Sequence, residues 1–178
     1  MEKRSKLTII SEDNEMTSIF LIPYKSMGIY GEESTNLNIN GNIIIYNDDE
    51  GEYIGGVGIY IGNDIIINDG YIFNYINLER EKNVSIKAGG SITIKKGNFV
   101  FNSIQAGNSI FLGEKGQSTS FNDEASLEII IETKMEGIKA KNIEIYSCII
   151  SISSNKDSIS ANEDIIINGA SLQIMAGS

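Results

Sequence analysis

The chain has 178 residues, 14 Lys and Arg against 24 Asp and Glu, a formal net charge of −10, one Cys, one Pro and neither His nor Trp. Without His there is no Ser-His-Asp or Cys-His nucleophile pair and no imidazole metal site, and the lone Cys148 makes neither an internal disulfide nor a thiolate zinc site. The acidic balance disfavours nucleic acid, whose phosphates call for a basic stripe, and no apolar run reaches the roughly 20 residues of a membrane span, so membrane insertion is not expected.

One domain is expected at this length. Ile contributes 36 residues, Asn 19 and Gly 18, a composition of β-branched side chains punctuated by turn formers that suits many short strands and no helical bundle. The segment Met1-Glu2-Lys3-Arg4-Ser5-Lys6 is basic, but no apolar stretch follows it, so no signal peptide is read there. Leu7-Thr8-Ile9 is the first strand pattern.

From residue 28 a phrase recurs, small residue–Ile–x–small or apolar, followed by Gly, Asn or Lys. Its six copies are Gly28-Ile29-Tyr30-Gly31, Gly58-Ile59-Tyr60-Ile61, Ser85-Ile86-Lys87-Ala88, Ser103-Ile104-Gln105-Ala106, Gly137-Ile138-Lys139-Ala140 and Ser158-Ile159-Ser160-Ala161. A second strand pattern follows each copy at a nearly constant offset, starting at Leu37, Ile65, Ile92, Ile110, Ile143 and Ile165. A third strand comes next, at 42–46, 71–73, 98–101, 126–129, 148–150 and 171–174. Strand repeats of this length mean a solenoid or a propeller, and a propeller blade needs about four antiparallel strands and about 40 residues.

The expectation is therefore an all-β parallel β-helix of about six to seven coils with three short strands per coil, forming a single domain over 7–176. Asn40-Gly41 and Asn168-Gly169 keep an antiparallel hairpin reading open. Alternation by two turns Ile29, Ile59, Ile86, Ile104, Ile138 and Ile159 inward as one stack. Cys148 is read as a small buried filler at the corner that Gly70, Gly97 and Ala170 hold in other coils.

Three inserts interrupt the coils, at 47–57, 74–84 and 113–125. The first carries Asp48, Asp49, Glu50 and Glu52. Calcium takes 6–8 oxygen ligands, often from several carboxylates, so this loop is a candidate metal site beside the plainer reading of a solvated acidic turn. Asp123 and Glu124 are a weaker candidate of the same kind.

The outward positions of the repeated phrase form a ladder of Tyr30, Tyr60, Lys87, Gln105, Lys139 and Ser160. Tyr rings stack on sugars, and Lys and Gln hydrogen-bond hydroxyls or carboxylates. Lysines on an acidic protein would favour an acidic glycan locally. The plainer alternative is an ordinary solvated face with β-favouring Tyr.

The segments Gly137-Ile138-Lys139-Ala140-Lys141-Asn142-Ile143-Glu144-Ile145 and Ser158-Ile159-Ser160-Ala161-Asn162 resemble the repeat phrases of bacterial carbohydrate-binding β-helix domains, typified by clostridial cellulose- and pectin-binding surface proteins, and the stretch from Gly55 to Gly70 resembles a phrase common in related surface proteins. The resemblance covers about residues 28 to 175. It implies a right-handed parallel β-helix, an extracellular or cell-surface location, calcium held by loop carboxylates, and a polysaccharide partner that is pectin-like or cellulose. Ser85, Ser103 and Ser158 stand where that phrase has Gly.

Enzymes are the reading that differs most. Glycosidases need two positioned carboxylates, and lyases of this fold use a basic residue, usually Arg, on the strand face. The only arginines are Arg4 and Arg80, in the amino-terminal segment and an insert. The chain is therefore expected to be a non-catalytic binding module, with a structural or adhesive solenoid and an atypical polysaccharide lyase as alternatives. At the carboxyl end Ile165, Ile167, Leu172 and Ile174 are expected to form a bare apolar column. That predicts a piece of a longer protein with adjoining domains, or end-to-end self-association.

Overall fold

The computed structural model describes residues 6–10, 18–21, 28–46, 57–75, 84–116 and 127–176. They form twenty strands and no helix, in three sheets of seven, seven and six strands. Successive strands visit the first, second and third sheet in turn and then return to the first, so each sheet's neighbours come from successive coils. Every pairing is parallel. This is a parallel β-helix of about six coils, and the antiparallel alternative falls. Asn40-Gly41 and Asn168-Gly169 lie at corners between the first and second sheets of one coil.

The first sheet opens at Lys6–Ile10 and continues through Asn36–Asn40 to Ile165–Asn168. The second opens at Ser18–Leu21 and ends at Ser171–Ala176, and the third runs from Ile29–Gly31 to Ile159–Ala161. Register carries the repeat through all three. On the first sheet Leu7, Leu37, Ile65, Ile92, Ile110, Ile143 and Ile165 stand in one column. On the second the column is Ile19, Ile43, Ile72, Phe99, Ile129, Ile150 and Leu172. On the third it is the six isoleucines of the repeated phrase.

These columns are the core. Ile59, Ile86, Ile104 and Ile138 are wholly buried, as are Ile65, Ile92, Ile110 and Ile143. Removing such a side chain from water stabilises by roughly 1.5–3 kcal/mol. Phe99 and Phe101 stack within the core at 5.6 Å between ring centroids. In the last coil Ile165, Ile167 and Ile174 are nearly half exposed, whereas Leu172, expected in the same bare column, is partly buried against the core.

Corners decide which residues the coil accepts. Gly70 and Gly97 have φ of +136° and +113°, and a Cβ at Gly97 would run into the carbonyl oxygen of Gly70 one coil earlier. Just before each strand of the first sheet a polar side chain ties one coil to the next. Asn36 Oδ1 accepts from the amide of Asp64 (3.2 Å), Asp64 Oδ1 from the amide of Ser91 (2.7 Å), and Asn142 Oδ1 from the amide of Asp164 (3.3 Å). The Ser-for-Gly exchange has a similar logic. Ser85 Oγ accepts from the Asn102 amide (2.7 Å), Ser103 Oγ donates to the Glu136 carbonyl (2.7 Å), and Ser158 Oγ meets Ser154 Oγ at 2.8 Å. A buried hydroxyl is tolerated at each because it is paired.

Cys148 is buried at the predicted corner, in one row with Leu127 and Gly97. Burial pushes its thiol up to about 12 from an ordinary value of 9.0. Below pH 9 both folded and unfolded chains keep the proton. Between 9 and 12 the unfolded chain alone ionises, so this group draws stability away as pH rises, by up to about 1.4 kcal/mol per pH unit. Cys148→Ala is accordingly expected to close its stability deficit against the natural chain as pH rises through that window, measured by urea unfolding at each pH. Ile86→Ala is expected to cost about 2–5 kcal/mol in the same assay, because the coils above and below hold the space open.

Candidate functional site

The third sheet presents its outer face through the middle residue of each repeated phrase. Parallel pairing brings Tyr30, Tyr60, Lys87, Gln105, Lys139 and Ser160 into one line, each beside the next. One rung is roughly 4.8 Å. Tyr30 is 61% exposed and Lys87 and Lys139 are exposed, whereas Tyr60 and Gln105 are partly covered. The two Tyr rings stack at 5.7 Å between centroids with 16° between planes.

Beside this line, at the corner where the third sheet hands over to the first, lies an open groove of about 310 Å³. Tyr60, Lys87, Gln105 and Lys139 line it from the outward row, and Gly89, Gly107, Lys141 and Asn162 from the position that follows each repeated phrase. These glycines are enforced by coil stacking: a Cβ on Gly89 would strike the carbonyl of Gly62, and one on Gly107 the carbonyl of Gly89. The backbone continues through the corner by Gly89 N to Ile61 O (2.8 Å) and Gly107 N to Ala88 O (3.0 Å). The packing rule that demands glycine at the corner thus also leaves the groove bare of side chains there.

Three lysines line the groove and no carboxylate does. Two of them have acidic partners just outside it. Lys139 Nζ lies 3.1 Å from Glu136 Oε1, and Lys141 Nζ lies 3.0 Å from Glu163 Oε1, while Asn142 Nδ2 donates to Glu163 Oε2 at 3.1 Å. Hydrogen bonds from its own backbone and from Lys139 hold the Glu136 carboxyl below its ordinary value, and those from Lys141 and then Asn142 do the same for Glu163. Gln105 Nε2 has only a long 3.5 Å contact to Ser103 Oγ, leaving its amide available.

Of the ladder residues, the structure gathers Tyr60, Lys87, Gln105 and Lys139 on the groove and leaves Tyr30 behind Tyr60, outside the lining. Sequence reasoning missed Lys141, Asn162 and the two glycines. The signal was present as the residue after each phrase: Gly89, Gly107, Lys141 and Asn162 all occupy that position. The candidate metal residues Asp48, Asp49, Glu50 and Glu52 lie outside the described residues, as do Asp123 and Glu124. Among the described residues no group of three or more acidic or thiol side chains comes together to hold a metal ion. No family model matches this chain, and neither do curated proteins or solved structures.

The two lysine–glutamate clasps have a definite pH dependence. A depressed carboxyl pKa means a favourable contribution that is complete above the ordinary glutamate value of 4.5 and disappears as pH falls through the lower folded value. The side-chain carboxyl carbons of Glu136 and Glu163, followed by NMR, are expected to titrate below 4.5, and Lys141→Met is expected to move Glu163 back toward it.

Proposed function

We propose that the chain is a non-catalytic module that binds acidic polysaccharide along the third sheet. The observation that carries this reading is the groove itself: three lysines, two amides and a Tyr line it and no carboxylate does, on a chain whose net charge is −10. A uniformly acidic surface repels anions at long range, so a local concentration of ammonium groups favours a multivalent, extended anion over a small one. The line of outward residues is straight and repeats at the rung spacing, which suits a linear polymer. Tyr60 offers a ring to a sugar face, and Gln105 and Asn162 offer amides to hydroxyls. Hydrolysis of a glycosidic bond calls for a pair of carboxyl groups flanking it, and this lining has none, which supports binding without cleavage. Fold alone carries no function, so the reading stands on these side chains.

Lys87→Glu is expected to weaken retention on an immobilised acidic polysaccharide by about tenfold or more, equivalent to about 1.4 kcal/mol, while the circular dichroism spectrum stays that of the natural chain. Tyr60→Ala is expected to weaken it less. Retention unchanged by Lys87→Glu would remove the reading.

A further inference from the structure

The groove is unevenly charged, and the unevenness specifies a class of glycan. Lys139 and Lys141 are each held by a glutamate, but among the described residues no carboxylate forms an ion pair with Lys87. Of the three ammonium groups, Lys87 alone has no carboxylate partner among the described residues. Its neighbours a rung away on either side are Tyr60 and Gln105, neither of which is charged. The next cation on the line, Lys139, stands two rungs from Lys87 and has Glu136 against it.

We propose that the groove selects a glycan in which a charged sugar stands between neutral ones, over a chain that carries a carboxylate on every ring; this rests on the glycan-binding reading above. A pyranose ring is about as long as one rung, so a chain lying along the line places about one sugar at each outward residue. A uronate at Lys87 gains a charge-assisted hydrogen bond for which no carboxylate among the described residues competes. At the Tyr60 rung, where the ring is stacked on Tyr30, no cation offsets the desolvation of a carboxylate, so a neutral sugar is favoured there over an anion. At Gln105 the amide serves a hydroxyl or an N-acetyl group as well as a carboxylate, with no charge to offset desolvation of the anion. At Lys139 a further carboxylate has to displace Glu136 from the ammonium. The rungs around Lys87 thus read neutral, anionic, neutral.

The test compares three oligosaccharides of equal length by isothermal titration calorimetry: hyaluronan, with glucuronate at alternate rings; oligogalacturonate, with a carboxylate at every ring; and cello-oligosaccharide, with none. Hyaluronan is expected to bind at least about tenfold more tightly than either of the others, and Lys87→Gln to erase that preference. Glu136→Gln frees Lys139 without touching the groove lining; hyaluronan and oligogalacturonate both place a carboxylate two rungs from Lys87, so the affinity for both is expected to rise severalfold and the preference for hyaluronan to persist. Oligogalacturonate binding as tightly as hyaluronan to the natural chain, with Lys87→Gln still weakening both, overturns the alternating-charge proposal and leaves the glycan reading standing. Absence of binding to all three overturns both. Circular dichroism of each variant separates these outcomes from a loss of fold.

Discussion

The structure depends on the stacking of identical apolar side chains at one rung spacing. An Ile above an Ile above an Ile fills the interior without a change of shape between layers, and it fixes register, because a slip of one residue would turn the entire row outward. The three inward columns keep this register even where chain length between them changes. The second sheet shows how much strain such a column absorbs. Phe99 sits between Ile72 and Ile129, and its extra bulk is taken up by stacking on Phe101 within the same strand. The first sheet absorbs an extra residue differently: the pairing of Ile39 with Ile67 is followed by that of Asn40 with Asp69, so Asn68 bulges and the corner still closes.

Once the columns are fixed, the corners follow. Chains in successive coils pass close together at the bends, and several bend residues have either no Cβ or a side chain that pairs with a neighbouring coil. The same position before the repeated Ile is filled by Gly137, where a Cβ would press on the Ser158 carbonyl and Ile152, and by Ser103, where the hydroxyl reaches the Glu136 carbonyl. Glycine and serine are two answers to one geometric demand. The corner before the first sheet takes a third answer, an Asn or Asp whose oxygen caps the next coil's amide. Each answer satisfies backbone groups that would otherwise be buried without partners.

The repeated phrase made the coils legible, because period-two alternation and the phrase offset both survive in sequence. The strand starts read from Leu37 to Ile165 fall in one column, and the phrase isoleucines in another. The outward line of Tyr60, Lys87, Gln105 and Lys139 was legible for the same reason. What sequence could not supply was the second row of the groove's lining. Lys141 and Asn162 stand past the end of their strands, where alternation no longer says which way a side chain faces, and their relation to Lys87 depends on how sharply the corner turns. Nor does spacing reveal that Lys141 is tied to Glu163, a residue one coil away and 22 positions along the chain. Alternation put Lys87 and Lys139 in play; only the pairing shows that, of the groove lysines, Lys87 alone has no carboxylate partner among the described residues.

That distinction bears on how a strongly acidic solenoid can present a cationic groove. Solenoid coils share one frame, so the character of a face is set column by column, and a column can differ in sign from the chain that carries it. Here the columns next to the groove hold the glutamates that pair with Lys139 and Lys141, at the edge and outside the lining. These exposed pairs contribute little to stability, since solvent screens them. Their larger consequence is electrostatic: they subtract two positive charges from the groove's effective field and leave its remaining attraction centred on a single rung. On the proposed reading an anionic polymer laid along the sheet would meet one position where an anion is favoured over its neighbours: the rung spacing sets the ruler, and Lys87, which has no carboxylate partner among the described residues, sets the mark on it.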